Sequence, residues 1–148
     1  MLHFRPHPRP CGPPTMNAAQ LQEQIPRIFA PWITAMGLEV LETAPGRVLL
    51  KLPVKREFVH VGGVMCGQAA MAAADTAMVL AMMVELGEFR PMTTVQLQTS
   101  FLRPVSGDHC LVTATVLRSG KSLAFGSIDI ANPDGRLAAQ ATTTYALL

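Results

Sequence analysis

The chain has 148 residues, of which 49% are hydrophobic, 15% charged and 5% aromatic. A chain of this length buries roughly 70% of its unfolded surface as one domain, and it is too apolar and too weakly charged to be disordered as a whole. Of its 12 Lys and Arg, Arg5 and Arg9 fall in the first sixteen residues, which carry no acid, leaving ten bases against ten acids in the body; that balance excludes the concentrated basic footprint of a duplex nucleic-acid binder. Cys11, Cys66 and Cys110 are odd in number, widely spaced and form no Cys-x-x-Cys pair, which fits neither a disulfide framework nor a structural zinc site and predicts a reducing, cytoplasmic setting.

Residues 1–16 carry five prolines and no apolar run. They read as a flexible lead-in rather than a signal peptide, and His3 and His7 as solvated tail residues. Residues 17–148 read as a single domain. Asn17 is placed to cap a helix over residues 18–36, with Gln20 at the capping-box position; Pro26 and Pro31 predict that this helix is broken or kinked. Residues 38–44 and 47–53 flank Pro45–Gly46, a turn signal, and predict a hairpin.

A polar, Gly-bearing segment then opens onto an Ala/Met-rich stretch with no Gly or Pro, in which Asp75 is the one charge between Gly67 and Val84. A helix apolar nearly all round is buried on nearly all sides, although its apolar run from Met78 to Val84 is short of the roughly 20 residues of a membrane span. Downstream, alternation places Val95, Leu97, Thr99 and Phe101 on one strand face. Turn signals at Ser119–Gly120 and at Pro133–Asp134–Gly135 separate three further strands. The pattern predicts an α+β domain: five or six antiparallel strands in a curved sheet wrapped around the buried helix.

A carboxylate in an apolar helix is costly unless it is partnered or put to work. Asp75 is therefore either a nucleophile or general base, or a structural partner, conceivably across a subunit interface. The first N–H groups of the helix at Gly67 have no intrahelical acceptor, and such groups polarise a carbonyl and hold a developing oxyanion. Asp75 lies about 12 Å further along the helix axis. A single site using both needs Gly67 of one chain and Asp75 of another, with central helices antiparallel across a homodimer interface.

The run from Val64 to Ala77 resembles the helix-start motif of the PaaI-like hotdog-fold acyl-CoA thioesterases, within the 4-hydroxybenzoyl-CoA thioesterase-like superfamily. In that motif a Val, any residue and His-Gly-Gly precede six residues and the catalytic Asp. Here Cys66 stands in place of the His, Gly67 matches the oxyanion Gly, Gln68 replaces the second Gly, and Asp75 matches the carboxylate. The stretches 101–104, 107–108, 117–121 and 134–147 are also in the family's style, and the likeness covers residues 20–147.

The resemblance implies a hotdog fold, thioester hydrolysis, acyl-CoA or acyl-carrier-protein substrates, homodimers or dimers of dimers, and no cofactor. It implies a role for His60 and Thr94 in placing water or substrate, with the Gln68 N–H as a second carbonyl donor. Arg103, Arg118 and Lys121, with Ser119 and Gly120 of the turn, are candidates for the coenzyme A phosphates; solvated surface charge is the alternative. Met71, Met78, Phe29 and Trp32 are candidates for an aliphatic or aryl acyl pocket, with plain core as the alternative. Cys66 as a nucleophile lacks a base beside it in sequence. Two other functions fit the same fold: a hydratase or dehydratase using His60 with Asp75, and a non-enzymatic acyl-CoA binding domain.

Overall fold

A computed structural model of the chain describes residues 15–148. The expected lead-in, with His3, His7 and Cys11, lies outside the described residues except for its last two. Those two are docked: the Thr15 hydroxyl donates to the Val84 carbonyl and Met16 packs against the core.

Helix α1 (Ala18–Ile28) begins with the expected capping box, in which the Asn17 and Gln20 side chains each accept from the other's backbone N–H at 2.9 Å. Pro26 sits in its last turn. The helix ends at Ile28, and Pro31 starts a separate short helix, α2 (Pro31–Thr34), a position where its missing N–H costs nothing. The Gln22 amide bonds both the Leu38 carbonyl, at 3.0 Å, and the Val40 N–H, at 2.7 Å, so α1 covers the start of the first strand.

Six strands follow: β1 (Glu39–Ala44), β2 (Arg47–Pro53), β3 (Met92–Phe101), β4 (His109–Ser119), β5 (Leu123–Ala131) and β6 (Leu137–Leu147). They form one antiparallel sheet in the order β1-β2-β4-β5-β6-β3. Between β2 and β3 runs the long helix α3 (Gly67–Leu86). Twelve of its twenty residues are buried, six of them alanines. Small side chains on the helix let the sheet approach closely, and inward-facing Val48, Leu50, Val112, Ile128 and Ile130 pack over it. By length and composition α3 could cross a membrane. It is instead the core of the domain, wrapped by the curved sheet, with its apolar character accounted for by that enclosure.

One expectation is overturned in β3. Val95 does not share a face with Leu97, Thr99 and Phe101. The β3–β6 register pairs Thr94 with Tyr145 and then Gln96 with Thr144, so Val95 is an extra, bulged residue. A bulge reverses the alternation on one side of it. Thr94 therefore joins Leu97 and Thr99 on the inner face, opposite the buried residues of β6, and Val95 is 60% exposed.

Gly126 on β5 lies directly against the Met78 side chain of α3. A Cβ there would overlap the Met78 sulfur and lie 3.1 Å from the Thr115 carbonyl oxygen. Gly126→Ala should therefore lower stability by about 1–3 kcal/mol through overpacking, read as a lower urea midpoint with an unchanged slope.

Candidate functional site

Asp75 projects from the third turn of α3 toward the β3–β6 end of the sheet. The Thr94 hydroxyl donates to its Oδ1 at 2.8 Å. The Tyr145 hydroxyl reaches that same Oδ1 in a short contact and also lies 2.9 Å from the Asp75 main-chain carbonyl. Thr94 reaches the carboxylate only because the bulge at Val95 turns it inward. Tyr145 reaches it because strand alternation brings it to the same face of β6, where it is 1% exposed. Burial, then the hydrogen bond to Asp75, holds the Tyr145 phenol far above its usual ionisation range, so it remains a protonated donor at neutral pH.

Gly67 lies at the other end of this geometry. It opens α3, and the residue before it, Cys66, makes no side-chain capping bond; the initial N–H groups thus receive no side-chain cap. A Cβ on Gly67 would lie 3.0 Å from the Phe101 ring, so any larger residue would crowd the helix start. Two cavities flank this point. The first, about 470 Å³, has walls of Gly67, Ala70, Phe101, Arg103 and Ala139 among others. The second, about 380 Å³, lies between α2 and the helix start, with Trp32, Met36, Phe58, Cys66 and Gln68 in its walls. Both are apolar for most of their surface.

Within one chain Gly67 and Asp75 are not brought together. Gly67 meets Phe101 at the C-terminal end of β3, whereas Asp75 meets Thr94 near its N-terminal end. The other candidates divide between these ends. Arg103 lines the first cavity, but its Nη1 donates to the Leu137 carbonyl at 2.6 Å. Arg118, Gly120 and Lys121 line a smaller surface hollow of about 230 Å³ with Phe125, and Ser119 ends the adjoining β4. That hollow sits at the Asp75 end, because Ala124 pairs with Tyr145 in the sheet.

His60 is exposed on the loop before α3, and its Nδ1 accepts from the Gly62 N–H at 2.9 Å. Its ring thus braces a turn, lines neither cavity beside the helix start, and is not brought to Asp75. Among the proposed acyl-pocket residues, Trp32 alone lines one of these cavities. Met78 is sealed in the core beneath Gly126, and Phe29 and Met71 are half-buried and line neither cavity. Met78 is excluded from a pocket because its side chain is fully buried against Gly126 of the sheet.

Tyr145 carries no motif and was not a sequence candidate. Its signal is faint: it is the single tyrosine, at an inward position of a strand built mostly from Ala and Thr. Cys66 lines the second cavity, and Cys110 is fully buried, its thiol pushed up to about 11 by burial. Among the described residues, no three His, Cys, Asp or Glu side chains gather as a metal site.

Comparison with known proteins agrees with this architecture. Residues 62–139 match the family model described as the thioesterase superfamily. The chain is 30% identical over 110 residues to acyl-coenzyme A thioesterase 13 of Homo sapiens, covering 72% of this chain and 77% of that protein. It superposes on zebra fish thioesterase superfamily member 2 with a TM-score of 0.79 and 26% identity, covering 90% and 99% of the two chains. The PaaI protein of E. coli, 19% identical with a TM-score of 0.75 over 88% and 96%, shares the fold. A curved six-stranded sheet around a buried central helix is thus shared with known thioesterases, and this chain belongs to the thioesterase superfamily as a hotdog-fold thioester hydrolase.

Proposed function

We propose that the chain hydrolyses a medium- or long-chain or aryl acyl-CoA, or the corresponding acyl-carrier-protein thioester, to the free acid and the thiol. The observation that carries this is the Asp75 carboxylate, held on one oxygen by Thr94 and Tyr145 within the long apolar run of a largely buried helix. The thioester carbonyl sits against the Gly67 N–H, with the Gln68 N–H as a second donor. These bonds strengthen as negative charge develops on the carbonyl oxygen.

Asp75 acts on the carbonyl carbon in one of two balanced ways. As general base it takes a proton from water while the water oxygen adds, and the tetrahedral oxyanion collapses with expulsion of the thiolate. As nucleophile it forms a mixed anhydride, expels the thiolate, and water then cleaves the anhydride. The acyl group occupies the cavity beside Trp32, whose walls are mainly apolar. Arg118 and Lys121, at the Asp75 end of the sheet, face solvent where they can hold phosphates.

The separation of Gly67 from Asp75 supports a shared site in a homodimer with antiparallel central helices, and pairs of such dimers build the tetramer. The edge strand β3 supports this too: Val95, Phe101 and Leu102 at that edge are 60%, 54% and 52% exposed, an apolar edge suited to cover by a second copy. Free thiols at Cys66 and Cys110 agree with a reducing, cytoplasmic setting.

Asp75→Asn should lower kcat by about 10²–10⁴-fold while binding of a non-hydrolysable acyl-CoA thioether persists; full turnover in that variant would refute the assignment. Gly67→Val should also inactivate, by crowding Phe101, yet mixed dimers of the Gly67→Val and Asp75→Asn chains should recover activity, because one of their two shared sites is intact. No recovery in verified mixed dimers would refute sharing. Cys66→Ser should retain most activity in the same thiol-release assay, run across acetyl, long-chain and aryl CoA esters; near-complete loss would instead point to a covalent role for the thiol.

A further inference from the structure

We propose that Tyr145 is a positioning residue for hydrolysis, acting with Thr94 to clamp one oxygen of the Asp75 carboxylate so that the other is presented to the reacting water or thioester. This rests on the assignment of Asp75 as the reacting carboxylate. Among the described residues both side-chain hydrogen bonds to that carboxylate fall on Oδ1. They come from two strands, β3 and β6, that are themselves paired at this point, Thr94 opposite Tyr145. The two donors are therefore held at a spacing set by the sheet ladder, while the acceptor is held by the helix.

Such an arrangement leaves little freedom. A carboxylate on a helix rotates about two side-chain torsions, and pinning one oxygen to two donors removes most of that motion. Hydrogen bonds to an ionised acceptor are the stronger kind. Oδ2 is then the oxygen with freedom to accept a proton or attack. Placement of this kind matters because a misplacement of about 1 Å costs on the order of a hundredfold in rate.

The Tyr145 hydroxyl has one proton and two acceptors within reach, the Asp75 main-chain carbonyl at 2.9 Å and the carboxylate Oδ1. An ionised oxygen is the stronger acceptor, so the proton is assigned to Oδ1. The bulge at Val95 points the same way: it breaks the regular alternation of β3 at the position needed to turn the second hydroxyl, that of Thr94, onto the same oxygen.

The test is steady-state kinetics and thermal melting of the full chain for Tyr145→Phe, Thr94→Val and the double variant, beside Asp75→Asn. Tyr145→Phe keeps the ring that fills the core and removes the hydroxyl. It should lower kcat about tenfold or more with KM changed less than about twofold, and the double variant should lose less than the product of the single losses, since both donors serve one oxygen. A kcat within about twofold of the parent in Tyr145→Phe, with Asp75→Asn inactive, overturns the positioning role alone. An active Asp75→Asn overturns the assignment beneath it.

A second readout covers a variant that fails to fold. The chain has a single tyrosine, so meta-fluorotyrosine incorporated throughout reports on Tyr145 alone. Its fluorine resonance should shift on Asp75→Asn; an unchanged resonance would mean that the phenol answers to the backbone carbonyl only, which overturns the proposal.

Discussion

Everything in this fold depends on enclosing one nearly all-apolar helix that still carries a carboxylate. Helix α3 buries twelve of its twenty residues, and no arrangement of two thin layers covers so much of a helix's circumference. A six-stranded sheet curved around it does. The same enclosure creates a problem at Asp75, because a charge facing the sheet must find partners or remain protonated. Two hydroxyls on adjacent strands supply them, and the sheet is obliged to bend its own regularity, with an extra residue at Val95, to bring one of them in.

The helix also separates the two halves of the chemistry. Its start, at Gly67, is where unsatisfied N–H groups can act on a carbonyl, and a helix has only one such end. Asp75 lies more than two turns away, against different residues of β3. A helix is rigid on this length scale, so no local rearrangement joins the two groups. In the homodimer proposed above, a second copy running the other way would solve the problem by symmetry, since a two-fold axis would place each chain's start beside the other's carboxylate. The exposed apolar edge of β3 would then be covered by the same geometry that completes the site.

The two cavities at the helix start divide the proposed substrate in a physically sensible way. One is bounded by Gly67, Phe101 and Arg103, and the other by Trp32, Phe58 and the residues on either side of Gly67, Cys66 and Gln68. A thioester is a junction between an apolar acyl group and a long thiol arm, so a carbonyl site with a hollow on either side suits its shape. The interior side of α3 takes no part. There Met78 is packed under Gly126 and fully buried, so a methionine that looks like a pocket lining in a helical pattern is core.

What the amino-acid sequence determined by itself follows from short-range rules. Asn17 and Gln20 specify a helix start through bonds three residues apart; Pro45–Gly46 and Pro133–Asp134–Gly135 specify turns; an unbroken Ala/Met stretch with one acid specifies a buried helix and marks Asp75 and Gly67 as its two chemical features. Tertiary structure decided what no local pattern contains. The bulge at Val95 has no signature in the alternation of residues 93–102, yet it determines which face Thr94 occupies. Tyr145 is seventy residues from Asp75 in the chain and meets it only through the order β5-β6-β3. Met78, plausible by periodicity, was assigned by the fold to the core. Side-chain partnership across a sheet depends on register, and register is a property of strands paired at long range, which is why Asp75 was legible in the sequence, and Thr94 through the family resemblance, while Tyr145 was not.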